Sequence, residues 1–339
     1  MRFGMAGRMG QGMRQIVRFV DRYTGVGNFG GNVGHCTVTN GIFAALRPLP
    51  TSLCDFLLLL SINNAALLTA GVKSKLTHVI QGGKAVNAVT SLGDDVFVMR
   101  FDSRQVEVYD ARTFTLQRQL TVHRFYSLTG LAACAHHQCL YVSDYNQDIV
   151  QRAELSGSQA VKQWSVASGP RGLSVNKAHN VVMACYGADK IQEYTTHGAL
   201  VREISLEQAG VTNPWHAVQL STGDYVVSEH TSPRAVSVVG VDGQLVCRYL
   251  TSETSNVGQM SSPTSLAVTE NDDILVADTD NKRILLINRS LSSARELALP
   301  VDGGIQWPWG LCLDESRGRL YVGEDGGSCQ VLVFDGVRL

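Results

Sequence analysis

From about residue 85 onward the chain repeats short apolar runs of four to seven residues, rich in Val, Ile, Leu and Tyr and bounded by Gly, Asp, Asn and Pro. Runs of that length and makeup read as β-strands, not helices. The clearest unit is SPTSLAV (262–268), a short gap, then DDILVADTDNKRILLIN (272–288). It reads as a Pro-containing turn, an apolar strand, a polar turn, a second strand with a polar end, a short loop and a third strand.

The same order recurs in GPRGLSV with VVMACYGADKIQEY (169–175, 181–194), NPWHAVQL with YVVSEHTSPRAVSVV (213–220, 225–239) and WPWGLCL with LYVGEDGGSCQVLVF (307–313, 320–334). Two degenerate units precede them, KAVNAVTS with VFVMRFDSRQVEVYD (84–91, 96–110) and LTGLAAC with LYVSDYNQDIVQRAEL (128–134, 140–155). The second strands end at Arg100, Asp144, Cys185, Glu229, Asp278 and Glu324, spaced 44, 41, 44, 49 and 46 residues apart. A period of 40–50 residues with several strands per unit marks propeller blades.

An outer, fourth strand follows in several units as LQRQLTV, AVKQWSV, LVREISL and LVCRYL. The sixth unit reaches Leu339 without one. LTHVIQG (76–82), just before the first unit, is expected to supply it, because closing the ring removes an exposed sheet edge. The expected fold is therefore all-β: a six-bladed propeller over 76–339, closed by an N-terminal strand, with residues 1–75 as a separate extension.

P-x-G-L-x-V followed by I-x-V-A-D-x-x-N-x-R-I, best seen at Pro263–Ile284 and again at Pro308–Leu313, resembles the NHL repeat. NHL propellers occur at the C-terminus of tripartite-motif ubiquitin ligases, where they recruit protein or RNA targets, and in some lyases and bacterial proteins. The resemblance implies a recognition role. The RING and B-box Cys/His frameworks of those ligases are missing here, so it does not carry ligase activity to these residues.

Charge refines the choice of partner. Residues 1–75 hold eight Lys/Arg against Asp21 and Asp55, whereas the remainder holds 21 basic and 28 acidic residues, a net of −7. Phosphate-backbone binding usually comes with a basic excess. A protein partner is expected, RNA is the alternative, and DNA is not expected. The apolar stretch 52–72 is interrupted by Asp55, Asn63 and Asn64, which disfavours a membrane span and suits a helix packed on protein. The eight cysteines show no CxxC pair and read as free thiols in a reducing, cytoplasmic setting. A zinc site at Cys134, Cys139, His136 and His137 lacks a second matching pair.

In a blade, residues at the start of the first strand and just past the second face one rim about the axis, where a rigid scaffold displays function. The post-Pro positions are Arg171, Trp215, Thr264 and Trp309, with His216 beside Trp215. The second-strand ends add Arg100, Asp144, Tyr186, Glu229, His230, Asp278 and Glu324. Trp, Tyr and Arg dominate interface energetics, so Arg171, Tyr186, Trp215 and Trp309 lead as contacts. Two structural readings stand beside this one: the tryptophans as filler between blades, and the Asp278-type acids as acceptors of turn N–H groups.

An enzyme reading needs more than the fold. Asp144, Glu229, Asp278 and Glu324 would have to converge on an axial metal, as in lactonase-type propellers, yet the corresponding slots in other units are Arg100 and Cys185. No G-x-S-x-G elbow occurs. A non-catalytic binding scaffold, without cofactor or metal, is the expected function, with a metal-dependent hydrolase or lyase as the alternative.

Overall fold

A computed structural model describes residues 74–122, 127–155, 161–249, 257–327 and 329–339. The apolar stretch 52–72 and the basic extension lie outside these residues. Among them are six four-stranded antiparallel sheets, arranged as the blades of a closed propeller. Blade 1 takes its first three strands from Val86–Leu92, Asp95–Arg100 and Gln105–Asp110, and blade 5 from Pro263–Val268, Ile274–Asp278 and Arg283–Ile287. No helix among the described residues is long and apolar enough to cross a membrane.

Closure follows the expected route. Lys75–Ile80 pairs antiparallel with Val331–Asp335, from Lys75 opposite Asp335 to Ile80 opposite Val331, and becomes the outer strand of blade 6. The first and last described segments are thus joined in one sheet.

The second strands explain why the apolar runs lack a polar face. Tyr225–Glu229 and Ile274–Asp278 are buried at every position, because each blade is covered on both faces by its neighbours. Side chains alternate across a strand, and the core alternates with them. Ile274 and Val276 pack towards blade 4 with Val226, Val236 and Val238. Leu275 and Ala277 pack towards blade 6 with Leu320, Val322 and Phe334. Six such clusters, one at each blade-to-blade interface, form the core of the described ring. At about 25 cal/mol per Å² of apolar surface removed from water, this burial is the main term holding neighbouring blades together.

Blade starts share one local device. The residue before the proline lies at positive φ in Gly169, Asn213, Ser262 and Trp307, which turns the chain sharply into the first strand. Pairing of first and second strands then slips, between Val86 and Ala88, Leu128 and Gly130, Pro170 and Leu173, Pro214 and His216, Pro263 and Leu266, and Pro308 and Gly310. A bulge of this kind re-aims the side chain it contains. In all six blades it falls on or beside the position after the proline or its substitute.

Candidate functional site

The re-aimed positions are Asn87, Thr129, Arg171, Trp215, Thr264 and Trp309, one per blade around the axis. The three small polar residues among them are tied to the neighbouring blade. Asn87 donates to the Leu128 carbonyl at 2.8 Å, Thr129 to Pro170 O at 2.8 Å and Thr264 to Trp309 O at 3.2 Å. Arg171, Trp215 and Trp309 are too large for that role and lie at the mouth instead.

There they form one continuous cluster. The Arg171 guanidinium carbon sits 4.0 Å from the centre of the Tyr145 ring, 4.2 Å from Trp215 and 5.2 Å from Tyr186. Trp215 meets Trp309 edge to face at 5.3 Å, although blade 5 separates their blades in sequence. His230 lies 4.4 Å from Trp215 and 6.0 Å from Trp309. Cation–π contact with a partly desolvated Arg is worth about 0.5–2 kcal/mol per face, so the cluster is pre-organised.

Arg171 is half-buried and Nε has no hydrogen-bond partner among the described residues. Burial lowers its pKa, and the groups that act against this are the phenols of Tyr145 and Tyr186, not a carboxylate. His230 has an unpaired Nδ1. Its pKa is lowered by burial first, with Arg171 and Arg234 adding to the effect and Asp280 opposing it.

Beneath the two indoles runs an axial cavity of about 240 Å³, lined by the first strands of all six blades. Ala88, Leu131, Leu173, Val218, Leu266 and Leu311 contribute to its wall beside Asn87, Thr129, Ser174, His216 and Ser265, so the space is lined by apolar and polar groups in similar measure.

The other rim candidates are placed differently. His216 is buried below Trp215, where Nδ1 accepts from the Leu266 amide at 2.9 Å and Nε2 lies 3.0 Å from the Leu173 carbonyl. It thereby staples blades 3, 4 and 5, and burial lowers its pKa to about 4.

The second-strand ends are buried too, and most of them hold the loop that leads into their own blade. Asp278 accepts from Ser261 N at 2.6 Å, Asn281 Nδ2 at 2.8 Å and Arg283 Nε at 2.9 Å. Glu324 accepts from Gln306 N at 2.7 Å and Gln330 Nε2 at 3.0 Å. Asp144 accepts from the amides of Asn146 at 2.9 Å and Gln147 at 3.2 Å, and from Ser127 N at 3.4 Å. Arg100 donates to Glu107 at 2.8 Å and to the carbonyls of Lys84 and Cys329. Glu229 bonds Ser237 and Arg248, and burial raises its pKa as it raises that of Asp278.

These five side chains and His216 belong to the scaffold, each serving interior bonds, and the acids turn into their own blades instead of converging on the axis. Of the candidate contacts, Arg171, Tyr186, Trp215, His230 and Trp309 come together at the mouth. Tyr145 completes the cluster and was missed in sequence. Its signal was register, since it follows the second strand directly, as Tyr186 and His230 do.

Cys134 and Cys139 face each other as buried free thiols at the ends of a hairpin. His136 in its turn stacks on His179 at 4.2 Å. Among the described residues no group of His, Cys, Asp and Glu is placed to hold a metal ion.

The family model that matches is the NHL repeat, over residues 260–285. No curated protein matches the sequence. Solved structures share the fold at low identity. Hydrazine synthase of Kuenenia stuttgartiensis has a TM-score of 0.57 at 16% identity, covering 76% of this chain and 97% of that one. Virginiamycin B lyase from Staphylococcus aureus has 0.57 at 12%, covering 78% and 99%. The WD40 propeller domain of Doa1 has 0.53 at 12%, covering 78% and 97%. Two of these names are those of enzymes and one is that of a WD40 domain, so what the likeness establishes is the propeller architecture.

Proposed function

We propose that this NHL-repeat propeller is a non-catalytic recognition module that binds a protein partner at the axial mouth, through Arg171, Tyr186, Trp215, His230 and Trp309 with Tyr145. The observation that carries the reading is Arg171. A guanidinium held between Tyr145 and Trp215, with an unpaired Nε, is desolvated without an internal acid to offset it. Leaving such a charge without a complement costs free energy in the isolated protein, and a partner that places an acceptor at the terminal nitrogens of the guanidinium offsets part of that cost on binding.

The neighbouring chemistry agrees. Rigid aromatics and Arg are the residue types that dominate protein interfaces, and here they are clustered and half-buried. The six described cysteines are free thiols, which suits a reducing compartment such as the cytoplasm.

The test is capture from a cell lysate by the full chain and by Arg171→Ala at matched amounts, with melting temperature as control. Loss of the same captured bands, with melting unchanged, supports the reading. Identical capture profiles contradict it.

A further inference from the structure

Within the proposed binding site, on which this inference rests, we propose that Arg171 receives a carboxylate from an acidic peptide segment of the partner, with an adjoining apolar side chain packed on the Trp215–Trp309 pair. Three observations lead there. The first is charge. Arg171 makes no ion pair among the described residues, whereas the other half-buried arginines of the ring do: Arg283 with Asp278, Arg248 with Glu229 and Arg319 with Asp335. The missing complement is one anion.

The second is shape. Tyr145 and Trp215 contact the guanidinium at 4.0 and 4.2 Å. Aromatic packing of this kind leaves the outer end of the planar fork for hydrogen bonding: Nε is enclosed and unpaired, whereas the two terminal nitrogens, Nη1 and Nη2, are not among the enclosed unpaired atoms. A carboxylate matches such an end in size and in bidentate geometry. The apolar face beside it is the edge-to-face Trp215–Trp309 pair above the axial cavity.

The third is what surrounds it. Asp280 bears on His230 across the mouth, and Asp325, partly buried just past the second strand of blade 6, has its pKa raised by burial alone. A run of phosphates crossing the mouth would meet these acids, while a single carboxylate seated on blade 3 does not. The arrangement favours an acidic peptide over a nucleic acid.

The experiment uses the full chain and two displayed libraries of random decapeptides, one with both ends blocked by fusion or tether and one presenting a free C-terminal carboxylate. Selection from the first identifies a side-chain acid, and from the second a chain terminus. The expected result is enrichment of Asp or Glu, or of a free terminus, within two positions of an aliphatic or aromatic residue. Synthetic versions in which that carboxylate becomes an amide should bind the native chain at least tenfold more weakly. Against Arg171→Gln, checked for an unchanged melting temperature, acid and amide should bind within twofold of each other.

Selected peptides without acid bias overturn the inference, as does an acid-to-amide effect of equal size in Arg171→Gln. Tighter binding of a single-stranded RNA 12-mer than of any selected peptide, at the same salt, overturns it in favour of phosphate. If Trp215→Ala with Trp309→Ala abolishes lysate capture while the acid makes no difference, the recognition reading stands and the carboxylate falls. If neither variant affects capture, both fall.

Discussion

The indole of Trp215 on blade 4 meets that of Trp309 on blade 6 edge to face at 5.3 Å, across a ring in which blade 5 lies between them. Neither indole appears in the blade-to-blade hydrophobic clusters, and both remain partly exposed. Replacing both with alanine should therefore abolish partner capture and lower the melting temperature by no more than a few degrees. Calorimetry beside the capture assay checks this, and a large loss of stability with intact capture would make the rings packing instead of contacts.

His216 behaves oppositely. His216→Ala removes two buried hydrogen bonds and leaves the Leu266 N–H and Leu173 carbonyl unmet, with a cavity in addition. A loss of about 3 kcal/mol is expected, measured by urea unfolding.

The same residue gives the fold an acid dependence. Its folded pKa of about 4 lies below the ordinary 6.5, so between those values the unfolded chain binds a proton that the folded chain does not. Its contribution is full above pH 6.5 and is lost as pH falls towards 4, by roughly 3 kcal/mol in total. Unfolding at pH 7 and pH 4.5 should show a smaller difference in His216→Ala than in the native chain; an equal difference would assign the acid sensitivity to other groups.

Asp278 anchors the loop into blade 5 and neutralises Arg283. Asp278→Ala strands that buried cation and should cost about 3–5 kcal/mol. Asp278→Asn should cost less, because an amide still accepts from Ser261 N. Similar losses for the two variants would show that the charge is not what matters.

Ring closure is testable by length. A chain beginning at Gln81 lacks the outer strand of blade 6 and the buried Ile80 side chain, and exposes the Val331–Asp335 edge. Relative to a chain beginning at Ser74 it should lose about 3 kcal/mol or more and should self-associate, as seen by light scattering. Equal stability and a monomeric state would contradict closure by this strand.

How much was legible in sequence follows from what repeats. The apolar strands recur because every blade needs two covered faces, so the blade number and the closing strand could be read from spacing alone. The site could be read only in part. Arg171, Trp215 and Trp309 stand at a repeated position that elsewhere holds Asn87, Thr129 or Thr264, and their being Arg or Trp, the types that dominate interfaces, was the signal. His216 and the acids looked equivalent to them by proximity in sequence. Their direction is set by strand alternation and by the bulge, which turns position 215 to the mouth and position 216 into the core. No single unit of sequence displays that geometry.

The most direct measurement of the central claim is hydrogen–deuterium exchange on the full chain with and without its captured partner. The account predicts slowed exchange in the backbone around 170–172, 186–187, 214–216, 230–231 and 307–309, with the outer strands of the blades unchanged. Protection confined to the outer strands or to the opposite face, around 135–138 and 177–180, would contradict it.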